Sequence, residues 1–345
     1  MNKAPLVKIV SLYTFDNRDT PIRDDASLNI AYGVDENYLF GSGVSISSIL
    51  QNNTIPLIFH VIADEFSHDY IEKIEKLSVT HKTKISLYKI NAENLKSLPS
   101  TKVWSHAMYF RLFAFEYFSA SLDKLLYLDA DIICKGSIEK LSHIDLSGYI
   151  AGVVRDVESM QRPSAERLGI DKLSGSYFNS GVVLINLNDW HKSELTKKAF
   201  LLLNDGVDGI QLKYPDQDVL NILLHDKVII LGSEFNTIYT IKSELFDNSH
   251  NEFNKLITEN TKLIHYTGVT KPWHEWANYP SVKYFTSSYV NSPWKNCPLK
   301  KAISFIELKK RYKHQLAQGK LISGFISGAI YGYNKYFLKY INKKR

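Results

Sequence analysis

Short apolar runs that close in polar or acidic groups recur along the first three-quarters of the chain. Residues 28–34 (LNIAYGV) read as a core strand ending in Asp35, Glu36 and Asn37, and residues 56–63 (PLIFHVIA) and 84–90 (KISLYKI) repeat the pattern. Between them, residues 41–50 and 70–77 carry apolar positions at helical spacing. Strand followed by helix, repeated, predicts an α/β fold with a mostly parallel sheet covered on both faces. Further strands are expected at 125–128, 149–154, 182–186, 227–231 and 262–266, and helices over 189–203 and 216–224. Residues 1–27 show no period and are expected to lie over the surface of the later elements. No internal repeat or low-complexity linker divides the chain.

The polar groups cluster where these strands end. KLLYLDADIICKG (124–136) places Asp129 and Asp131 directly after an apolar run. Ligands of open α/β sheets sit beyond the strand ends, so the pair is either a polar turn or half a site for a divalent cation holding phosphates. An isolated Asp-x-Asp carries little information; its company carries more. Of Asp35, Asn37, Asp156, Asn179, Gln217, Asp218, His265, Gly268 and Lys271, nearly all also fall at strand ends or in the loops just after them, which one parallel sheet would gather along one edge. A cation on Asp129, Asp131 and His265 would neutralise phosphates, with Lys271 and the Gly268 backbone taking the rest. Asp35 and Asn37 could then bond a nucleoside, and Asp156, Asn179, Gln217 and Asp218 a polyhydroxylated group. That describes a site for a sugar on a nucleoside diphosphate. Asp216, opening a helix after Tyr214 and Pro215, has the type and place of an N-cap. Arg111, a lone charge in WSHAMYFRLFAFEYF (104–118), requires a carboxylate or a phosphate as partner.

The 345 residues, 44% hydrophobic and 23% charged, suit one large α/β domain with an appendage and exclude wholesale disorder. The two cysteines, Cys134 and Cys297, give neither a disulfide framework nor a zinc spacing. No uninterrupted apolar window is long enough to span a bilayer, and the N-terminus lacks the apolar core of a secretion signal, which predicts a cytosolic protein. The net charge of +6 is unevenly spread. From Lys300 onward twelve Lys and Arg face one acid, Glu307, leaving 30 basic against 35 acidic groups before it. After Gly319, Ile322, Phe325, Ile326, Ala329, Ile330, Tyr333, Phe337 and Tyr340 recur at helical spacing, with Lys335 and Lys339 off that stripe. The pattern fits a helix in the interface of an anionic membrane, or one docked on the protein's own core. Gly324, Gly328 and Gly332 weaken that helix by about 3 kcal/mol relative to alanine, so it needs a surface to form on.

The motifs AYGVDENY, MYFRLFAFEY, LLYLDADIICKG, YFNSGVVLIN, YPDQDVLN and IHYTGVTKPWH, in this order, resemble those of the retaining glycosyltransferases of family 8. Within that family the chain resembles the lipopolysaccharide core glucosyltransferases and galactosyltransferases of Gram-negative bacteria. FNTIYTIKSEL (235–245) and SFIELKKRYKH (304–314) bring it closer to the 1,2-glucosyltransferases. The resemblance implies a single Rossmann-like GT-A domain over 28–279, an N-terminal extension over 1–27, and a small helical, basic, membrane-associating domain over 280–345. It implies Mg2+ or Mn2+ on Asp129, Asp131 and His265, and a UDP-sugar donor. Gly268 and Lys271 match the family's diphosphate contacts, Asp35 and Asn37 its contacts to uracil and ribose, and Arg111, Asp156, Asn179, Asp216 and Gln217 its contacts to the donor sugar. The family varies in small residues at Gly33 and Val34, which leaves backbone contacts to the base open. The reaction implied moves glucose from UDP-glucose, or galactose from UDP-galactose, to a lipopolysaccharide core acceptor with the anomeric configuration kept. Gln217, a poor nucleophile with Asp218 behind it, and Asp156 are the catalytic candidates. The expected location is the cytoplasmic face of the inner membrane, reached through the basic tail, with no nucleic-acid partner. A haloacid-dehalogenase reading fails because Ile133 stands where that motif needs Thr or Val. A non-enzymatic, membrane-bound carbohydrate-binding protein would need no complete metal site.

Overall fold

The structure, a computed structural model, describes residues 7–20, 23–99, 105–206, 210 and 212–343, with side chains to 336. Trp104, and the side chains of Phe337, Lys339 and Tyr340, lie outside the described residues. Eight strands form the main sheet: β1 (Lys8–Asp16), β2 (Leu28–Val34), β3 (Leu57–Ala63), β4 (Lys84–Asn91), β5 (Lys124–Leu128), β7 (Ala151–Arg155), β8 (Phe178–Asn186) and β9 (Val228–Ile230). Their order is β1-β4-β3-β2-β5-β8-β7-β9. A second, smaller sheet holds β6 (Ile132–Cys134), β10 (Thr237–Thr240) and β11 (Leu263–Thr267), in the order β10-β11-β6. The mixed α/β, mostly parallel architecture matches the expectation.

Both faces of the main sheet are covered, as its continuous apolar runs require. Along β5, Leu126 and Leu128 enter one core with Ile30, Tyr32 and Val34 of β2, while Leu125 and Tyr127 enter the other with Phe115 and Trp190. Each of these leucines is fully buried, stabilising the fold by about 2 kcal/mol. The helices Leu39–Asn52 and His68–His81 pack on the first face; Phe110–Phe118, Leu195–Asp205 and Pro215–Leu224 pack on the second.

The strand directions bring the polar groups together. β2, β3, β4 and β5 run parallel, so Asp35 and Asp129 leave at the same edge. β8 runs antiparallel to both β5 and β7, so its beginning, Asn179, meets the end of β5, and Phe178 lies opposite Arg155. Asp129 and Asp131 occupy the turn from β5 into β6, and β6 pairs with β11 so that Ile132 lies opposite His265.

Two expectations change, and of the two readings of the tail the docked one is not met. Residues 1–27 do more than lie over the surface: β1 extends the sheet by pairing antiparallel with β4. The helix expected over 189–203 is two, Leu187–Lys192 and Leu195–Asp205, broken at Glu194, whose φ is +51°. In the tail, Leu321–Lys343 folds back on Phe305–Ala317, and a Cβ on Gly324 would meet Leu316 at 2.6 Å, so that glycine permits close helix contact. The apolar stripe faces outward instead of docking on the core: Ile322, Phe325, Ile326 and Tyr333 are 57–80% exposed. Among the described residues no helix is long and apolar enough to cross a membrane.

Candidate active site

At the edge where these strand ends meet lies a cavity of about 390 Å³. Gly33, Asp35, Arg111, Asp129, Asp131, Asp156, Asn179, Asp216, Gln217, His265, Gly268 and Lys271 all line it. Asp129, Asp131 and His265 bring one ligand atom each to within 4.8 Å of one another. His265 Nε2 lies 3.1 Å from Asp131 Oδ1 and 3.8 Å from Asp129 Oδ2. Two carboxylates and an imidazole, buried or half-buried, are a donor set that fits a divalent cation; its hard oxygens suit Mg2+ or Mn2+.

The ring of His265 is set by residues outside the cluster. The Gly181 backbone N–H donates to Asn179 Oδ1 at 3.0 Å, so the Asn236 amide NH2 must be the group facing that same oxygen, at 2.9 Å. The Asn236 carbonyl oxygen is thereby turned to His265 Nδ1, 3.1 Å away, and accepts its proton. Nε2 is left to face the carboxylates. Gly181 is needed for this approach, since a Cβ there would lie 2.3 Å from His265 Cε1.

Arg111, 3% exposed, finds its partners inside the protein. Its guanidinium bonds Asp129 Oδ1 at 2.7 Å and the Ser180 carbonyl at 2.6 Å, faces Asp216 at 3.3 Å, and lies over the Tyr127 ring. It therefore steers Asp129 and neutralises part of a strongly acidic pocket. Asp216 is drawn to this cation and does not cap its helix: the N-cap is Tyr214, with no side-chain cap. Burial pushes the Asp216 carboxyl above the usual range despite Arg111.

Lys271, 7% exposed, pairs closely with Asp131 and bonds the Tyr266 carbonyl at 3.1 Å. Burial opposes the charges here, but Lys271 and His265 hold the Asp131 carboxyl well below the usual carboxylate range, and Asp131 in turn raises both cations. Gly268, at φ +88°, turns the backbone between His265 and Lys271 in a conformation that side chains disfavour.

Gln217 is clamped as an amide. Its Oε1 accepts from the Ser180 N–H at 3.1 Å and from Asn179 at 3.2 Å, while its Nε2 donates to Asp156 Oδ2 at 2.9 Å. Asp35 accepts from Ser105 Oγ at 2.6 Å and from the Asn37 N–H at 2.9 Å.

Two candidates do not reach the cavity. Asp218, fully buried, turns away: Arg167 grips both oxygens at 2.7 and 2.8 Å, and Tyr177 and the Tyr214 N–H complete its bonds at 2.6 and 2.9 Å. With its acceptor positions used, it locks the start of its helix and cannot attack a sugar. The Asn37 side chain is exposed and does not line the cavity; its carbonyl is held by Lys300. Conversely, Tyr38, Ser105 and Asn236 emerge from the structure alone, and only the polar residue of the FN pair at 235–236, just before a strand, hints at the last.

The pattern of glycosyl transferase family 8 matches residues 29–277, and that of the family's C-terminal region residues 279–335. The chain belongs to glycosyl transferase family 8. It is therefore a glycosyltransferase of GT-A fold, and the cavity lies where such a fold presents its strand ends. An Escherichia coli K12 protein named lipopolysaccharide 1,2-glucosyltransferase is 52% identical over 98% of this chain and 100% of its own. A second Escherichia coli protein of that name is 45% identical over 96% of this chain and 98% of its own. The solved galactosyltransferase LgtC, in complex with donor and acceptor sugar analogues, superposes with a TM-score of 0.65 at 26% identity, over 77% of this family 8 chain and 96% of that one.

Proposed function

We propose that this family 8 enzyme transfers glucose from UDP-glucose to a hexose of the lipopolysaccharide core, keeping the anomeric configuration and forming an α-1,2 linkage. The observation that carries the reading is the full-length likeness to two lipopolysaccharide 1,2-glucosyltransferases, joined to a cavity whose acids, imidazole and ammonium converge. UDP-galactose is the second reading, favoured by 38% identity to a Salmonella typhimurium lipopolysaccharide 1,3-galactosyltransferase.

Asp129, Asp131 and His265 would hold Mn2+ or Mg2+, with the imidazole favouring Mn2+. When bound, the ion supplies Lewis-acid stabilisation of the charge growing on the departing UDP. Lys271, released from Asp131, takes the diphosphate with the backbone at Gly268. Asp35, Gly33 and Tyr38 border the nucleoside end. Arg111 and Asp216 hold the floor beneath the donor sugar, and Asn179, Gln217 and Asp156 offer it amide and carboxylate groups.

A retaining hydrolase places a carboxylate nucleophile about 5 Å from its acid. Here the group on that side is the clamped amide of Gln217, and Asp218 is turned away. We favour a front-face route: the sugar–oxygen bond of UDP-glucose breaks to a short-lived oxocarbenium ion, the acceptor hydroxyl adds on the same face, and its proton passes to the leaving phosphate. The Gln217 carbonyl oxygen borders the developing positive charge.

The exposed stripe of Leu321–Lys343 and the basic excess of 300–345 support docking on the anionic cytoplasmic face of the inner membrane, where such an acceptor is held. The decisive assay is UDP release from UDP-glucose against UDP-galactose with Mn2+ and truncated core acceptor. Faster release from UDP-galactose would reverse the donor assignment, and no release from either sugar would leave the carbohydrate-binding reading.

A further inference from the structure

Beside the donor cavity opens a second one, about 700 Å³ in volume, which shares Asp156 and Ile238 with it. Its walls are the end of β7, the turn leading into β10 and the loop 255–261. The two cavities differ in chemistry. Polar groups of the donor cavity are bonded to one another, as Gln217, Asn179 and Asp156 show. In the second, the side chains of Arg155, Glu234 and Asn260 have no hydrogen-bond or ion-pair partner among the described residues. One only donates, one only accepts and one does both, which is the complement that a set of sugar hydroxyls requires. Arg155 and Lys255 are balanced by Glu234 and Asp156, so the lining favours a neutral polyhydroxylated chain over a second phosphate group. Leu256, 56% exposed, adds an apolar surface for the C–H face of a pyranose.

We infer that this second cavity is the subsite for the acceptor sugars that lie beyond the one receiving the transfer. Asp156 fixes the register. One of its oxygens bonds Gln217 on the donor side, and the residue also forms the wall of the second cavity, so a saccharide lying there brings its terminal sugar to the donor's reactive carbon. The inference rests on reading the first cavity as the donor site.

The test compares full-length wild-type protein with Leu256→Ala/Asn260→Ala and, separately, Arg155→Ala; all three residues are exposed, where truncation leaves the fold intact. KM is measured for a single-hexose glycoside and for a truncated core oligosaccharide, alongside KM for UDP-glucose and its slow hydrolysis in water. The double variant is expected to raise KM for the oligosaccharide about tenfold, and Arg155→Ala severalfold, through lost hydrogen bonds and apolar contact. KM for the single hexose and for UDP-glucose, and the hydrolysis rate, are expected to stay within about twofold. Equal changes for both acceptors, or none, would overturn the subsite. Calorimetric binding of the oligosaccharide, without donor, gives an independent arm: weaker binding to the double variant supports the subsite, and unchanged binding overturns it. Because that arm needs no turnover, it separates failure of the subsite from failure of the donor assignment, which wild-type UDP release reports.

Discussion

Asn236 holds no position in the metal cluster but bonds one of its members, His265, directly, and it makes the sharpest prediction. It is 2% exposed, and its side chain makes two hydrogen bonds, one to Asn179 and one from His265. In Asn236→Ala the His265 Nδ1–H loses its acceptor, and the ring can turn or hold its proton on Nε2, the atom that faces Asp129 and Asp131. Each bond contributes about 1 kcal/mol. If only the His265 bond matters to the ion, affinity falls about fivefold; if both do, about 2 kcal/mol is lost, or about thirtyfold, within the range for residues that orient metal ligands. The assay is calorimetric titration of Mn2+ into protein saturated with UDP, with thermal unfolding as a control for the fold. The expected result is a Kd raised about five- to thirtyfold and UDP release restored by excess Mn2+. An unchanged Kd in a folded variant would refute the role of Asn236 in presenting His265.

Other expectations arise from the same contacts. Asp218→Asn should lower stability by about 2–3 kcal/mol, because Arg167 loses its paired charge, yet keep UDP-glucose turnover at low temperature within severalfold; a covalent glycosyl adduct on Asp218 would contradict its placement. Gly181→Ala should abolish metal-dependent turnover by pushing His265 aside, measured as loss of Mn2+ activation. Deleting residues after Gly319 should leave transfer to short acceptors intact and abolish cosedimentation with anionic vesicles; loss of folding would show that the last helix belongs to the core. Acid should destabilise the fold in a defined window. His60 and His274 titrate at about 3 and His314 at about 4 when folded, all lowered first by burial, against 6.5 in the unfolded chain. The unfolded state therefore binds more protons between these values, so stability is full above pH 6.5 and is lost as pH falls. Each imidazole withdraws about 1.4 kcal/mol per pH unit, about 4 together, which denaturation at pH 7.5 and 5 would reveal. His265, whose pKa is raised, titrates above this window.

The strand ends are legible in the sequence because burial on both faces leaves an unmistakable mark: 28–34 and 125–128 are nearly uninterrupted apolar runs stopped by acids. Direction and reach are not legible. Nothing in FNSGVVLIN says that β8 runs antiparallel, and that reversal is what puts Asn179 beside Asp129. β6 and β10 are too short to leave a period. Asp216 resembles a helix cap because capping is a local signal, whereas its real partner, Arg111, is more than a hundred residues away and outcompetes the helix end. Asp218 shows the same limit: neighbours along a helix point in different directions, so Gln217 enters the cavity and Asp218 leaves it. The N-terminal strand escapes notice because an edge strand with exposed Val10 and Leu12 has no clean alternation. The tail's stripe is helical, as its spacing predicts, but which face is covered depends on the return of the chain at Gly319, whose φ is +70°.

One ion shared by Asp129, Asp131 and His265 at the diphosphate of the donor is central to the proposed reaction. A crystal structure of the full chain with UDP and Mn2+, collected with anomalous data, tests this directly. The expected result is a single anomalous peak within about 2.6 Å of all three side chains and of both phosphates, with Lys271 moved from Asp131 onto UDP. A peak elsewhere, or UDP bound with Lys271 still on Asp131 and no ion between the carboxylates, would contradict it.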